Sequence, residues 1–258
     1  ALPISGAGYR VPSGGRDYQL VELRRKIGAV ASEKLKRVHL ELGGNNVAIV
    51  LPGADVDLAA SAGATGSFFH QGQICMSTGR HIVHQDVHDE YVDRLVARAE
   101  ALAVGDPSTE QVHLGPIIDE KQLKNIDSVV QDSLTAGAVA RTGADHDGLF
   151  YRPTVLTDVT PDMPAWSQEI FGPVAPVHRV ASVDEAVELA NASEYGLSVS
   201  IMGPVGEAMK NMVLPDQISY VVIVTLIGGT IGGYITYAGA HRMVDSGITG
   251  PENAKRIS

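Results

Sequence analysis

Val47-Ala-Ile-Val-Leu51 is an unbroken apolar run, the pattern of a strand buried on both faces of a sheet. Apolar positions elsewhere recur at helical spacing. Leu20, Leu23, Ile27, Val30 and Leu35 fall near one face of a helix expected over 20–36, with Arg24, Lys26, Glu33 and Lys34 mostly elsewhere. Residues 1–19 read as irregular, and "HLELGGNN" as a short strand ending in a glycine turn. Asp55 opens a helix expected to end near Gly72. "RHIVH" reads as a strand and "HDEYVDRLVARAEAL" as a helix. "DEKQLKNIDSVVQDSLTAG" reads as a helix closed by Gly137. "FYRPTVLTDV", "FGPVAPVHRV" and "SVSIM" read as strands, and "SVDEAVELANASEYGL" opens on a capping box of Ser182 and Glu185. Strands alternating with helices predict an α/β fold with a mainly parallel sheet flanked by helices.

One stretch departs from this rhythm. Residues 218–240 carry no charge over 23 positions. As a helix they would span about 35 Å, enough to cross a bilayer, and Gly228 and Gly232 have a GxxxG spacing. The alternative is a buried hairpin: 218–226 is rich in Val, Ile, Tyr and Thr, "GGTIGG" is turn chemistry, and "YITYA" returns. The hairpin is the preferred reading, so a membrane partner is not expected.

Composition narrows the classes. The chain has 258 residues, 44% of them hydrophobic and 19% charged, with a formal charge of −10. No Lys/Arg block stands out, so nucleic acid is not an expected partner. The sole cysteine forms no internal disulfide, which suits a reducing, cytoplasmic setting, and the N-terminal residues do not read as a signal peptide.

That cysteine, Cys75, lies in "FHQGQICMSTGR" among Gln73, Ser77, Thr78 and Gly79. It reads either as an inert buried thiol or as a nucleophile on a loop, where backbone N–H groups can hold an oxyanion. Glu41 stands before Gly43 and Gly44, and is either a solvated glutamate or a carboxylate able to activate water beside the thiol. In "QEIFGPV", Glu169 could bond a sugar hydroxyl and Phe171 could lie on a flat ring; the same residues could form a structural turn. His81, His84 and His88 have spacings that would split them across a strand's faces, which argues against a metal site. Trp166 reads as a packed loop residue or a platform for an aromatic substrate.

"LELGGN", "GQICMSTGR" with Cys75 34 residues after Glu41, and "EIFGPV", in this order, resemble the catalytic half of the aldehyde dehydrogenase superfamily. "LGPIID" at 114–119 and "FYRPTVLTDV" at 150–159 are similar to the family as well, and "HLELGGNN" with "HQGQICMSTGR" resembles its benzaldehyde and vanillin dehydrogenase branch. The resemblance covers roughly residues 26–202 and implies oxidation of an aromatic aldehyde with NAD or NADP. It implies that Cys75 forms the thiohemiacetal and then the thioester, and that Glu41 activates the releasing water. It places Glu169, Phe171, Leu42 and Gly43 at the cofactor.

The ends depart from the family. Most of its dinucleotide-binding domain, and the asparagine completing its oxyanion hole, have no counterpart in this sequence. Gly6 and Gly8 begin a G-x-G, but Val11 stands where the fingerprint needs a third glycine. The expected organisation is therefore a divergent segment over 1–25, a catalytic-domain-like region over 26–203 and a divergent apolar segment over 204–258. Activity is expected to be impaired in this chain. The alternative is a non-catalytic piece of the same fold acting as a subunit or interaction partner, and a homo-oligomer is left open.

Overall fold

The computed structural model describes residues 18–38, 43–193, 195, 197–204, 220–224 and 235–237. The chain divides into two compact units, residues 1–42 and 43–258. In the first, helix α1 spans Tyr18–Glu33, close to the expected 20–36. Its apolar stripe is only partly covered: Ala31 is buried, whereas Ile27 and Val30 are exposed. Leu35, expected on that stripe, lies past the helix end with a left-handed φ of 51° and is 94% exposed.

The second unit holds the sheet. Its strands are β1 (Asn46–Val50), β2 (Thr78–His84), β3 (Val139–Thr142), β4 (His146–Asp147), β5 (Phe150–Tyr151), β6 (Thr154–Thr157), β7 (Val174–Val180), β8 (Ser198–Met202), β9 (Tyr220–Val224) and β10 (Ile235–Tyr237). Among the described residues the main sheet runs β10-β9-β8-β1-β2-β7-β6-β3, and β4 pairs with β5 apart from it. The pairings from β9 through β6 are parallel, and β10 and β3 are antiparallel edges. The mainly parallel sheet expected from the alternation is present.

Among the described residues the helices of this unit are α2 (Val56–Phe68), α3 (Gln85–Glu100), α4 (Glu120–Thr135), α5 (Pro164–Ser167) and α6 (Val183–Asn191). Successive side chains of β1 enter opposite layers, as strand geometry requires. Val47 and Ile49 join Leu123, Ile126 and Val130 of α4, Trp166 of α5 and Ala186 of α6 in one core. Ala48 and Val50 join Ala59 and Phe68 of α2 and Tyr91 and Leu95 of α3 in another. All five residues of β1 are buried, which accounts for its uninterrupted apolar sequence.

The caps follow their chemistry. Asp55, Asp119 and Ser182 accept N–H groups at the starts of α2, α4 and α6. Glu185 reaches back to the N–H of Ala181, one residue before the expected capping-box partner. Gly137 follows the end of α4 with φ 113°.

One reading changes. "FYRPTVLTDV" is two strands rather than one, since Arg152 and Pro153 separate β5 from β6 and a proline supplies no N–H to a ladder. The short edge strand β3 and the small helix α5 had no strong periodic signal. Residues 43–45 lead into β1, which opens at Asn46; the short strand expected in "HLELGGNN" falls on residues 39–42, outside the described residues. Within the apolar stretch, β9 and β10 pair antiparallel, in agreement with the hairpin reading. Among the described residues no helix is long and apolar enough to cross a membrane.

Candidate active site

Parallel strands begin side by side, so the loops before β1, β2, β7 and β8 converge at the N-terminal edge of the sheet. Those loops hold Gly43–Asn45, Gln73–Ser77 and Gln168–Pro173, together with Leu197. A narrow cleft opens among them, lined by Gly44, Asn45, Ile74, Ser77, Glu169 and Phe171, among others. Ligands of open α/β sheets usually bind at the opposite, C-terminal edge. This cleft differs because the motif-bearing loops lead into strands instead of leaving them.

The Cys75 loop is shaped by an unusual approach. After α2 a 3-10 turn runs Phe69–Gly72, with His70, Gln71 and Gly72 at φ 50°, 58° and 66°. Consecutive left-handed residues reverse the chain sharply, and two of the three pay a steric penalty for it. The chain then closes a tight turn in which the Ser77 N–H donates to the Ile74 carbonyl at 3.0 Å, with Cys75 and Met76 at its corner. Cys75 is half-buried, in keeping with a loop thiol rather than a core one. The Gln73 side chain accepts the Ile118 N–H at 3.0 Å and anchors the loop from outside.

Glu169 enters from the loop before β7. Its Oε1 accepts the Gly44 N–H at 3.0 Å. A Cβ on Gly43 would lie 2.0 Å from Glu169 Oε2, so only glycine at 43 leaves room for this carboxylate. Phe171 is 37% exposed with φ 53°, not the buried ring of a structural turn. Gln122 of α4 donates to the carbonyls of Ile170 and Phe171, both at 3.0 Å, and holds this loop from the helix side.

Behind the cleft, Asn45 donates to the Trp166 and Gln168 carbonyls at 2.8 and 3.3 Å. Arg80 is 2% exposed and has no carboxylate partner among the described residues; it donates to the carbonyls of Asn45 (3.0 Å), Leu189 (3.2 Å) and Ala190 (3.4 Å). Its guanidinium lies 5.5 Å from the Trp166 ring centre. The last two carbonyls belong to the C-terminal turn of α6, where the helix dipole favours a cation. Burial pulls the Arg80 pKa down to about 10, which still leaves it charged at neutral pH. Trp166 is thus packed into the core layer and is not offered to a substrate.

Sequence reasoning missed Asn46. It is 4% exposed and donates to the carbonyls of Cys75 and Ser77, both at 2.8 Å, while its Oδ1 accepts the Ser198 N–H at 2.9 Å. The available signal was a polar residue opening an otherwise apolar, doubly buried strand. The three histidines have separate tasks: His81 bonds Ser67 and Tyr91 in the core, His84 caps α3, and His88 bonds Asp89. Glu41 and Leu42 lie outside the described residues, so the expected pairing of Glu41 with Cys75 is not placed.

Residues 21–240 match the family described as the aldehyde dehydrogenase family. Over 194 residues the chain is 55% identical to a vanillin dehydrogenase of an Amycolatopsis species, covering 75% of this chain and 40% of that protein. It is 51% identical over 180 residues to the NAD(+)-dependent benzaldehyde dehydrogenase of Pseudomonas putida, covering 70% and 37%. A crystal structure of succinate-semialdehyde dehydrogenase from Burkholderia pseudomallei superposes with a TM-score of 0.73 at 35% identity, over 84% of this chain and 46% of that one. The chain therefore spans less than half the length of these relatives. With the match extending over most of its residues, it belongs to the aldehyde dehydrogenase family.

Proposed function

We propose that this chain carries the thiol chemistry of an aldehyde oxidation, with an aromatic aldehyde as substrate. The observation supporting it most directly is the meeting of the Cys75 turn and the Glu169 loop at one cleft on one sheet edge. The Cys75 thiolate attacks the aldehyde carbon; a C–S bond forms, and the carbonyl π pair moves onto oxygen. The Cys75 N–H is one donor to that oxyanion. A nicotinamide dinucleotide, when bound, supplies the two-electron oxidant that converts the thiohemiacetal to a thioester. Glu41 takes a proton from the water that attacks the thioester, which releases the carboxylic acid and returns the thiol.

The cleft suits one end of such a cofactor. Glu169 presents a carboxylate able to accept from ribose hydroxyls, and Phe171 offers an exposed ring face. Among the described residues, Asn45 Oδ1 and Ser77 Oγ of the cleft lining are buried polar atoms with no hydrogen-bond partner. Gly43 and Leu42 complete the cofactor side of the reading. The similarity to vanillin and benzaldehyde dehydrogenases supports an aromatic aldehyde, and either NAD or NADP fits.

The test is competition for the thiol. Folded chain should be alkylated at Cys75 by iodoacetamide faster than chain in denaturant, and benzaldehyde should protect it. A folded rate no higher than the denatured one, with no protection by benzaldehyde, would reject the reading.

A further inference from the structure

Asn46 uses both of its amide donors and its amide oxygen to join two segments at once. Both amide hydrogens go to carbonyls of the Cys75 turn, at Cys75 and Ser77, and the amide oxygen takes the Ser198 N–H at the start of β8. The orientation is unambiguous, since a flipped amide would set its oxygen against two carbonyl oxygens. Water competes little, because Asn46 is 4% exposed. The peptide plane after Cys75 is thereby fixed by a residue of the central strand β1, while the Ser77-to-Ile74 hydrogen bond fixes the turn itself. Gly44 permits this closeness: a Cβ there would lie 2.9 Å from Asn46 Oδ1 and 3.1 Å from the Cys75 carbonyl oxygen.

Resting on the reading of Cys75 as nucleophile, we propose that Asn46 is a positioning residue for that nucleophile. It ties the thiol-bearing turn to a fully buried central strand of the sheet, so that Cys75 keeps one presentation toward the cleft. An ordinary structural asparagine would stabilise the fold without setting the thiol's reactivity, and the two roles separate experimentally. Asn46→Asp keeps the shape of the side chain but replaces both donors with an acceptor facing two carbonyl oxygens. Asn46→Ala removes the clamp without adding a charge.

The experiment measures iodoacetamide alkylation of Cys75, the chain's only thiol, as a function of pH in the folded full chain. Asn46→Asp and Asn46→Ala are expected to lower the rate about tenfold, in line with the penalty for a misplaced reacting group. Leu95→Ala, a core cavity in α3 far along the chain from the turn, should lose stability yet keep the wild-type profile. An Asn46 variant that matches or exceeds the wild-type rate overturns the proposal, and so does a Leu95→Ala profile displaced like that of the Asn46 variants. If the Asn46 variants do not fold, side-chain hydrogen exchange in the wild type decides. The Asn46 amide should exchange far more slowly than that of the exposed Asn125, and equal rates overturn the clamp. Comparing folded with denatured wild type tests Cys75 as a nucleophile separately, so either idea can fail without the other.

Discussion

Gly72 and Gly172 meet backbone to backbone: a Cβ on Gly72 would stand 2.1 Å from the Gly172 carbonyl oxygen. This contact joins the loop that carries Cys75 to the loop that carries Glu169, although the two are far apart in sequence. Both the space and the conformation demand glycine at 72, since its φ is 66°.

Gly72→Ala should therefore destabilise the chain by at least about 3 kcal/mol, from left-handed strain and a backbone clash that no rotamer relieves. Urea unfolding followed by circular dichroism measures it. A loss no greater than that of an ordinary surface substitution would mean that the two loops do not touch in this way.

Arg80 is the second test. Arg80→Lys keeps the charge but cannot reach three diverging carbonyls with a planar fork set over the Trp166 ring. Stability is expected to fall by about 2 kcal/mol, the scale of buried acceptors left without donors. Equal urea midpoints for the two proteins would show that the guanidinium fork adds nothing beyond its charge.

His81 makes stability depend on pH. Ser67 Oγ donates to the Thr78 carbonyl and so accepts from His81 Nε2, 2.8 Å away; Nδ1 then accepts from the Tyr91 hydroxyl at 2.7 Å. This is the neutral imidazole, and burial depresses its pKa from 6.5 to about 3. Below pH 6.5 the unfolded chain takes up a proton that the folded chain refuses. Stability should thus fall as the pH drops from about 6.5 toward 3, by up to about 1.4 kcal/mol per unit from this group. Urea midpoints for wild type and His81→Asn across that range provide the comparison. Parallel pH slopes would show that His81 titrates as freely in the fold as out of it.

Much of this was legible in the chain. The apolar run at 47–51, the helical stripes of α3 and α4 and the caps at Asp55, Asp119 and Ser182 are local signals, and local signals set local elements. The motifs around Cys75 and Glu169 carried the family. What the sequence could not settle was which ends of the strands come together. That depends on parallel pairing of β1 with β2 and β8, and of β2 with β7, which places the loops before these strands at one edge. Asn46 closes the "HLELGGNN" stretch, but its task arises only when residues 29, 31 and 152 positions away supply its partners. The same holds for Gly72 against Gly172 and for Arg80 against α6. Periodicity and capping act within a few residues and are written locally, whereas a buried hydrogen bond between distant loops is decided only when the sheet assembles and excludes the water that would otherwise satisfy it.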